Sequence, residues 1–155
     1  MARSVDGLLS ARKDHGMGIT IGIDVGTVST KCALFGAAER LRQIAASGDA
    51  VCSVFDYAPE PEKAVAVSGY RRIQGKPIDA VVEQVRELTG LLEPGELKSV
   101  VITGSSGKLV GEMLSIPVEN EFKAAATGIG RIYPDVKNIF EMGGENSKFI
   151  RVACE

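Results

Sequence analysis

Histidine is nearly missing from this chain and cysteine is sparse: one histidine, His15, and three cysteines, Cys32, Cys52 and Cys154, occur in 155 residues. His15 lies in a segment of Ser, Gly, Asp, Arg and Lys with no nucleophile motif beside it, so no histidine-based mechanism can be argued. The cysteines are odd in number, far apart and without a C-x-x-C spacing, which argues against zinc and disulfide frameworks and for ordinary reduced thiols. No apolar run approaches the roughly 20 residues of a membrane helix, and the N-terminus lacks the basic, apolar, small-residue order of a signal peptide. A cytoplasmic protein is expected, with no membrane partner. Neither sign of charge is in excess: 18 basic and 20 acidic side chains leave a net charge of -2, which gives no electrostatic footprint for nucleic acid. Internal repeats and low-complexity tracts are also lacking.

What remains is the length and pattern of one α/β domain. Residues Met1 to Met17 carry no sustained periodic apolar face and read as an N-terminal extension, with the domain running from 18 to 155. Ile19-Thr20-Ile21-Gly22-Ile23 and Lys31-Cys32-Ala33-Leu34-Phe35 predict two strands joined by a short polar turn. Ala37 to Ala46 suits a helix, and the punctuation of Gly48, Pro59 and Pro61 predicts loop up to Lys63. Ala64 to Ser68 predicts a third strand. Pro77 opens a helix with Ile78, Val81, Val82, Val85 and Leu88 on one face, closed by Gly90. Ser99 to Thr103 predicts a strand buried on both faces, and Ser105 or Ser106 is placed to cap a helix through Leu114. A last helix is expected from about Asn120 to before Pro134, with Phe122, Ala126, Ile129 and Tyr133 at helical spacing. Asn138 to Met142, a Gly143-Gly144 turn and Ser147 to Ala153 complete the order.

Two loops are suited to phosphate. In Asp24-Val25-Gly26-Thr27-Val28-Ser29-Thr30-Lys31, Gly26 allows backbone N–H groups to approach an anion, Thr27 and Ser29 add hydroxyls, and Lys31 returns a cation toward the turn. Asp24, at a strand end, suits Mg2+, which takes only one or two carboxylates and keeps several waters. Glu141-Met142-Gly143-Gly144-Glu145-Asn146-Ser147-Lys148 repeats the design: an acid at a strand end, a double glycine, polar residues and a second strand. Such hairpins can face one another across a cleft and hold a polyphosphate from both sides. Rival readings fit less well. Gly104-Ser105-Ser106-Gly107-Lys108-Leu109 is two residues short of a P-loop and lacks the hydroxyl after Lys, and Gly128-Ile129-Gly130 lacks both the third glycine and the preceding strand of a Rossmann turn.

The paired loops resemble phosphate-1 and phosphate-2 of the superfamily containing actin, sugar kinases and heat-shock chaperones. Gly22-Ile23-Asp24-Val25-Gly26-Thr27, the Thr103-Gly104-Ser105-Ser106-Gly107 turn, Asn120-Glu121, and Met142-Gly143-Gly144 through Ser147-Lys148 look more closely like the ATP-driven activators of 2-hydroxyacyl-CoA dehydratases and their benzoyl-CoA reductase relatives. The resemblance implies a ribonuclease H-like fold, a mixed central sheet flanked by helices, as one half of a two-lobed domain. It implies ATP and Mg2+ as ligands of the complete protein, with Asp24 and Glu141 as catalytic and metal-binding residues. The nucleotide phosphates would be bound by Gly26, Thr27, Val28, Ser29, Thr30, Lys31, Gly143, Gly144, Glu145, Asn146 and Lys148.

As partners the resemblance implies an adenosine-binding lobe, a dehydratase or reductase component fed by ATP-driven electron transfer, and a second copy of the chain. ATP hydrolysis would belong to the complete parent protein, with this piece inactive alone. The family's iron-sulfur cluster uses a cysteine where this chain has Ala124, so no cluster is expected at that place. The alternative is a non-catalytic scaffold or interaction lobe of a larger protein. A sugar kinase would need a substrate-deprotonating aspartate that this half does not supply.

Overall fold

The computed structural model describes residues 18–143 and 146–152. The expected extension from Met1 to Met17 lies outside the described residues, as do Gly144, Glu145 and residues 153–155. The sheet grows from the hairpin of Ile19–Val25 (β1) and Ser29–Ala37 (β2), antiparallel with Asp24 opposite Lys31. Side chains alternate across a strand, so Ile19, Ile21, Ile23 and Val25 are buried together with Cys32 and Leu34 of β2. Lys63–Ser68 (β4) pairs antiparallel with β2, and Val51–Asp56 (β3) forms the outer edge beyond it. Arg71–Arg72 (β5) adds a short pairing to the start of β2. On the other side, Leu97–Thr103 (β6) runs parallel to β1, giving the order β3-β4-β2-β1-β6. A parallel neighbour requires a crossover, and the helix Pro77–Thr89 (α2) lies within it.

The helices Ala38–Ala46 (α1), α2 and Gly107–Leu114 (α3) close one core over this sheet. Leu41 and Ile44 of α1, Val81 and Leu88 of α2 and Val110 of α3 meet Ile21, Ile23, Leu34 and Ile102 there, all essentially inaccessible. Each such side chain contributes about 1.5–3 kcal/mol through burial. Pro77 occupies the first turn of α2 as its fixed φ favours. The mixed sheet with flanking helices is the architecture expected from the sequence.

Several details differ from expectation. The stretch read as loop contains β3, hidden in the sequence because it is an edge strand: only Val51 is buried, while Cys52, Ser53, Phe55 and Asp56 are exposed. β6 is buried on one face only, through Val100 and Ile102, while Ser99 is exposed and Val101 half-buried. Ser106 stands at the N-cap of α3 without a side-chain capping bond. Glu121–Ile132 (α4) is capped by Asn120, whose side chain accepts from the N–H groups of Phe122 and Lys123 at 3.0 and 3.1 Å. Its periodic apolar face is not buried: Phe122 is 44% exposed and no residue of α4 counts as core. Asn138–Met142 (β7) and Ser147–Arg151 (β8) pair with each other as a separate antiparallel hairpin.

Arg40 of α1 is tied to the segment before β6 by a two-pronged pair with Glu96, Nε to Oε1 at 2.6 Å and Nη2 to Oε2 at 3.0 Å. Glu96 also accepts from the Glu93 N–H at 2.8 Å, and the guanidinium hydrogen bonds hold its carboxyl below the ordinary value of 4.5. A carboxylate with a depressed folded pKa stabilises the fold above its unfolded pKa, and that contribution is lost as pH falls through the folded value. Glu96→Gln is therefore expected to cost about 1.5–3 kcal/mol at neutral pH, measured by urea unfolding, with the penalty shrinking below pH 4.5.

Candidate functional site

The two hairpin turns are built alike. The Gly26 N–H donates to Ser29 O at 2.9 Å, and the Gly143 N–H donates to Asn146 O at 2.9 Å. A Cβ at Gly26 would stand 3.2 Å from Ser29 O, and one at Gly143 3.1 Å from Asn146 O, so both turns favour glycine for one reason: a carbonyl occupies the side-chain space. Asp24 pairs in register with Lys31, as Glu141 does with Lys148, and the acids stand 117 positions apart (141 minus 24). The same offset carries Gly26 onto Gly143 and Ser29 onto Asn146. The glycine N–H is consumed in closing each turn, whereas the Thr27 and Val28 amides have no protein acceptor among the described residues.

Both turns face one cleft of about 270 Å³. Asp24, Gly26, Thr27, Val28, Ser29 and Lys31 line it from the first hairpin, and Glu141, Gly143, Asn146 and Lys148 from the second. Thr30 does not reach it: the residue is 1% exposed, on the core side of β2, because alternation turns it away from its neighbours Ser29 and Lys31. Gly144 and Glu145 lie outside the described residues. Three further residues belong to the cleft: Tyr70, Ser105 and Glu121. Glu121 carried a signal only as part of the Asn120-Glu121 pair, whose Asn is the α4 cap and whose Glu the cap thereby aims inward. Gly104 supports the site from below. It adopts φ +98°, and a Cβ there would collide with the Asp24 carboxylate and stand 2.5 Å from Val25 O.

Lys148 joins the acids, 2.9 Å from Glu141 Oε2 and 3.2 Å from Glu121 Oε2, and the Glu141 hydrogen bond raises its pKa. Asp24 keeps exposed surface but sits at the concave floor, where protein displaces much of its water. That desolvation raises its carboxyl above the ordinary 3.8, Glu141 and Glu121 push in the same direction, and Lys148 opposes them. The surplus of negative potential suits a hard divalent cation bound through one or two carboxylates and water. Among the described residues no set of three His, Cys, Asp or Glu is grouped for a metal, so any cation here would rely on few protein ligands.

The surroundings of Ala124 do not fit an iron-sulfur cluster. Alanine offers no thiolate, and Cys32, in the same hollow beside Asp24 and Lys31, is pushed up to about 12 by burial. An acid with a raised folded pKa destabilises the fold as pH rises past its unfolded value. Asp24→Asn is therefore expected to raise the melting temperature of the unliganded chain at pH 7, modestly because the group is partly solvated, and to give no gain below pH 3.8.

No protein-family profile matches the sequence, and no curated protein matches it. The fold does match solved structures. The Acidaminococcus fermentans (R)-2-hydroxyglutaryl-CoA dehydratase component A aligns over 88% of this chain and 43% of its own, with TM-score 0.54 and 18% identity. A Ppx/GppA family member from Aquifex aeolicus aligns over 88% of this chain and 52% of its own, with TM-score 0.46 and 10% identity. The chain thus spans less than half the length of component A. The chain shares with component A the ribonuclease H-like fold expected from the sequence.

Proposed function

We propose that this chain is the phosphate-gripping lobe of an ATPase that activates a 2-hydroxyacyl-CoA dehydratase-type enzyme by ATP-driven electron transfer. The observation that carries the reading is the pair of like turns, at Asp24 and Glu141, lining one cleft. In this reading Asp24 and Glu141 hold Mg2+, and the Thr27 and Val28 amides with the Thr27 and Ser29 hydroxyls bind phosphate oxygens. Lys31 meets the phosphates from β2, while Lys148 exchanges a carboxylate for a phosphate. Mg2+-ATP, when bound, supplies the phosphoanhydride whose hydrolysis would drive movement of the parent protein.

The cleft, about 270 Å³, suits phosphates and leaves the nucleoside to another element. The β7–β8 hairpin supports a second lobe in the same place. At the offset of 117, Ile23, Val25 and Cys32, each at most 1% exposed, correspond to Phe140, Met142 and Phe149, which are 74%, 85% and 57% exposed. Phe140 and Phe149 pack with ring centroids 4.8 Å apart and planes tilted by 44°, and an apolar face of this kind on a two-stranded hairpin calls for a cover. A dehydratase component as partner is supported by the fold shared with component A. The electron-carrying cluster of that activity would sit elsewhere than Ala124.

A non-catalytic scaffold lobe is the second reading, favoured by the hold of Glu141 and Glu121 on Lys148, which neutralises that cation without a ligand. Calorimetry of the chain with Mg2+-ATP and with Mg2+-tripolyphosphate separates the two. The phosphate-lobe reading predicts weak and closely similar affinities for both, since no base pocket contributes, and a loss of at least about tenfold on Asp24→Ala or Lys31→Ala. Absence of binding to either leaves the scaffold reading, and micromolar ATP binding with a strong preference over tripolyphosphate contradicts the half-site.

A further inference from the structure

The two turns place a lysine at the same position, Lys31 in the first and Lys148 in the second, 117 residues apart (148 minus 31). The two lysines are in opposite states. Lys31 is exposed, and although Asp24 stands across from it in register, it enters no ion pair among the described residues. Lys148 has 17% of its side chain exposed and is held by two carboxylates, Glu141 Oε2 at 2.9 Å and Glu121 Oε2 at 3.2 Å. Glu141 carries one methylene more than Asp24 and reaches its lysine from the paired strand. Glu121 comes from the first turn of α4, and the adjacent Phe122 ring centroid stands 6.0 Å from the Lys148 ammonium.

An ammonium offers three donors, and two of those of Lys148 are committed to carboxylates. A phosphate oxygen reaching Lys148 competes with both. Drawing the ammonium away leaves Glu121 and Glu141 beside Asp24, whose carboxyl is already raised by both of them and lowered by Lys148. Carboxylates stripped of their cation repel one another and the incoming anion. Lys31 meets phosphate without that penalty. Glu121 pairs with no cation but Lys148 among the described residues, while the nearby Glu119 pairs with Lys123.

We propose that Glu121 and Glu141 form a latch on Lys148 that withholds this lysine from free polyphosphate, and that opens when a divalent cation arrives with the phosphate and takes over the charge of the carboxylates. The latch rests on the phosphate-lobe reading and adds a control to it: the site selects a metal-bound polyphosphate over the free anion. It also ties ligand binding to the contact between α4 and the β7–β8 hairpin, since Lys148 leaves Glu121 as it turns to phosphate.

Calorimetric titration of the 155-residue chain with tripolyphosphate, free of divalent ions, tests the latch in four forms: unaltered, Glu121→Gln, Lys148→Met and the double variant. The 15N amide spectrum of each checks its fold. Glu121→Gln removes a partner of Lys148 and is expected to tighten binding about threefold or more, the scale of a partly exposed ion pair. In the Lys148→Met background the same change should bring little gain, because no lysine is left to release. Simple loss of repulsion between Glu121 and the anion would instead bring an equal gain in both backgrounds. Equal gains, or no gain from Glu121→Gln, overturn the latch and leave the phosphate lobe standing. Binding by none of the four forms, with Mg2+ or without, overturns both.

Discussion

The Ser106 N–H donates to the Val25 carbonyl at 2.9 Å, with the turn of Gly104 pressed beneath Asp24 and Val25. The end of β1 is thereby fixed against the start of α3. The Asp24 end of the cleft is built on that junction. It packs the Gly104 turn against the Asp24 carboxylate and the Val25 carbonyl. The residue beneath must be glycine, since φ is +98° and the space a Cβ would fill holds the carboxylate itself. The buried alternation of Ile21, Ile23 and Val25 holds the strand in the register that makes this contact.

The cleft then concentrates charge that the fold alone would not choose. Asp24, Glu141 and Glu121 share one wall with Lys148, and the raised carboxyl of Asp24 records the cost of placing it there. In the proposed reading a bound cation would relieve the repulsion among these carboxylates. The core of β1, β2, β4 and β6 with three helices offsets that cost. The same logic separates the two hairpins. The first has its apolar face sealed by α2 and α3, whereas the second presents Phe140, Met142 and Phe149.

Much of this was legible in the sequence wherever one residue type answers to one physical demand. Alternating Ile19, Ile21 and Ile23 showed β1, Pro77 marked the start of α2, and the paired acid-glycine-lysine turns showed both halves of the cleft. The remainder depends on tertiary placement. β3 was missed because an edge strand buries little, so its exposed Ser53 and Phe55 show no alternation. Thr30 was counted with the cleft because its type suits phosphate, although strand parity turns it into the core. Gly26 was read as letting backbone N–H groups approach an anion, and its own N–H closes the turn on Ser29 O. Gly104 and Tyr70 had no individual signal, because a close approach and a shared wall exist only once distant segments meet.

If the two turns 117 positions apart form one cation-phosphate site, as proposed, both must sense a single bound ion. Mn2+ in place of Mg2+, added with tripolyphosphate at substoichiometric amounts, broadens NMR signals within a short radius of the bound ion. A shared site predicts simultaneous broadening at Asp24 to Val28 and at Glu141 to Gly143, lost from both turns together in Asp24→Ala. Broadening at one turn alone, or centred away from both, would contradict it.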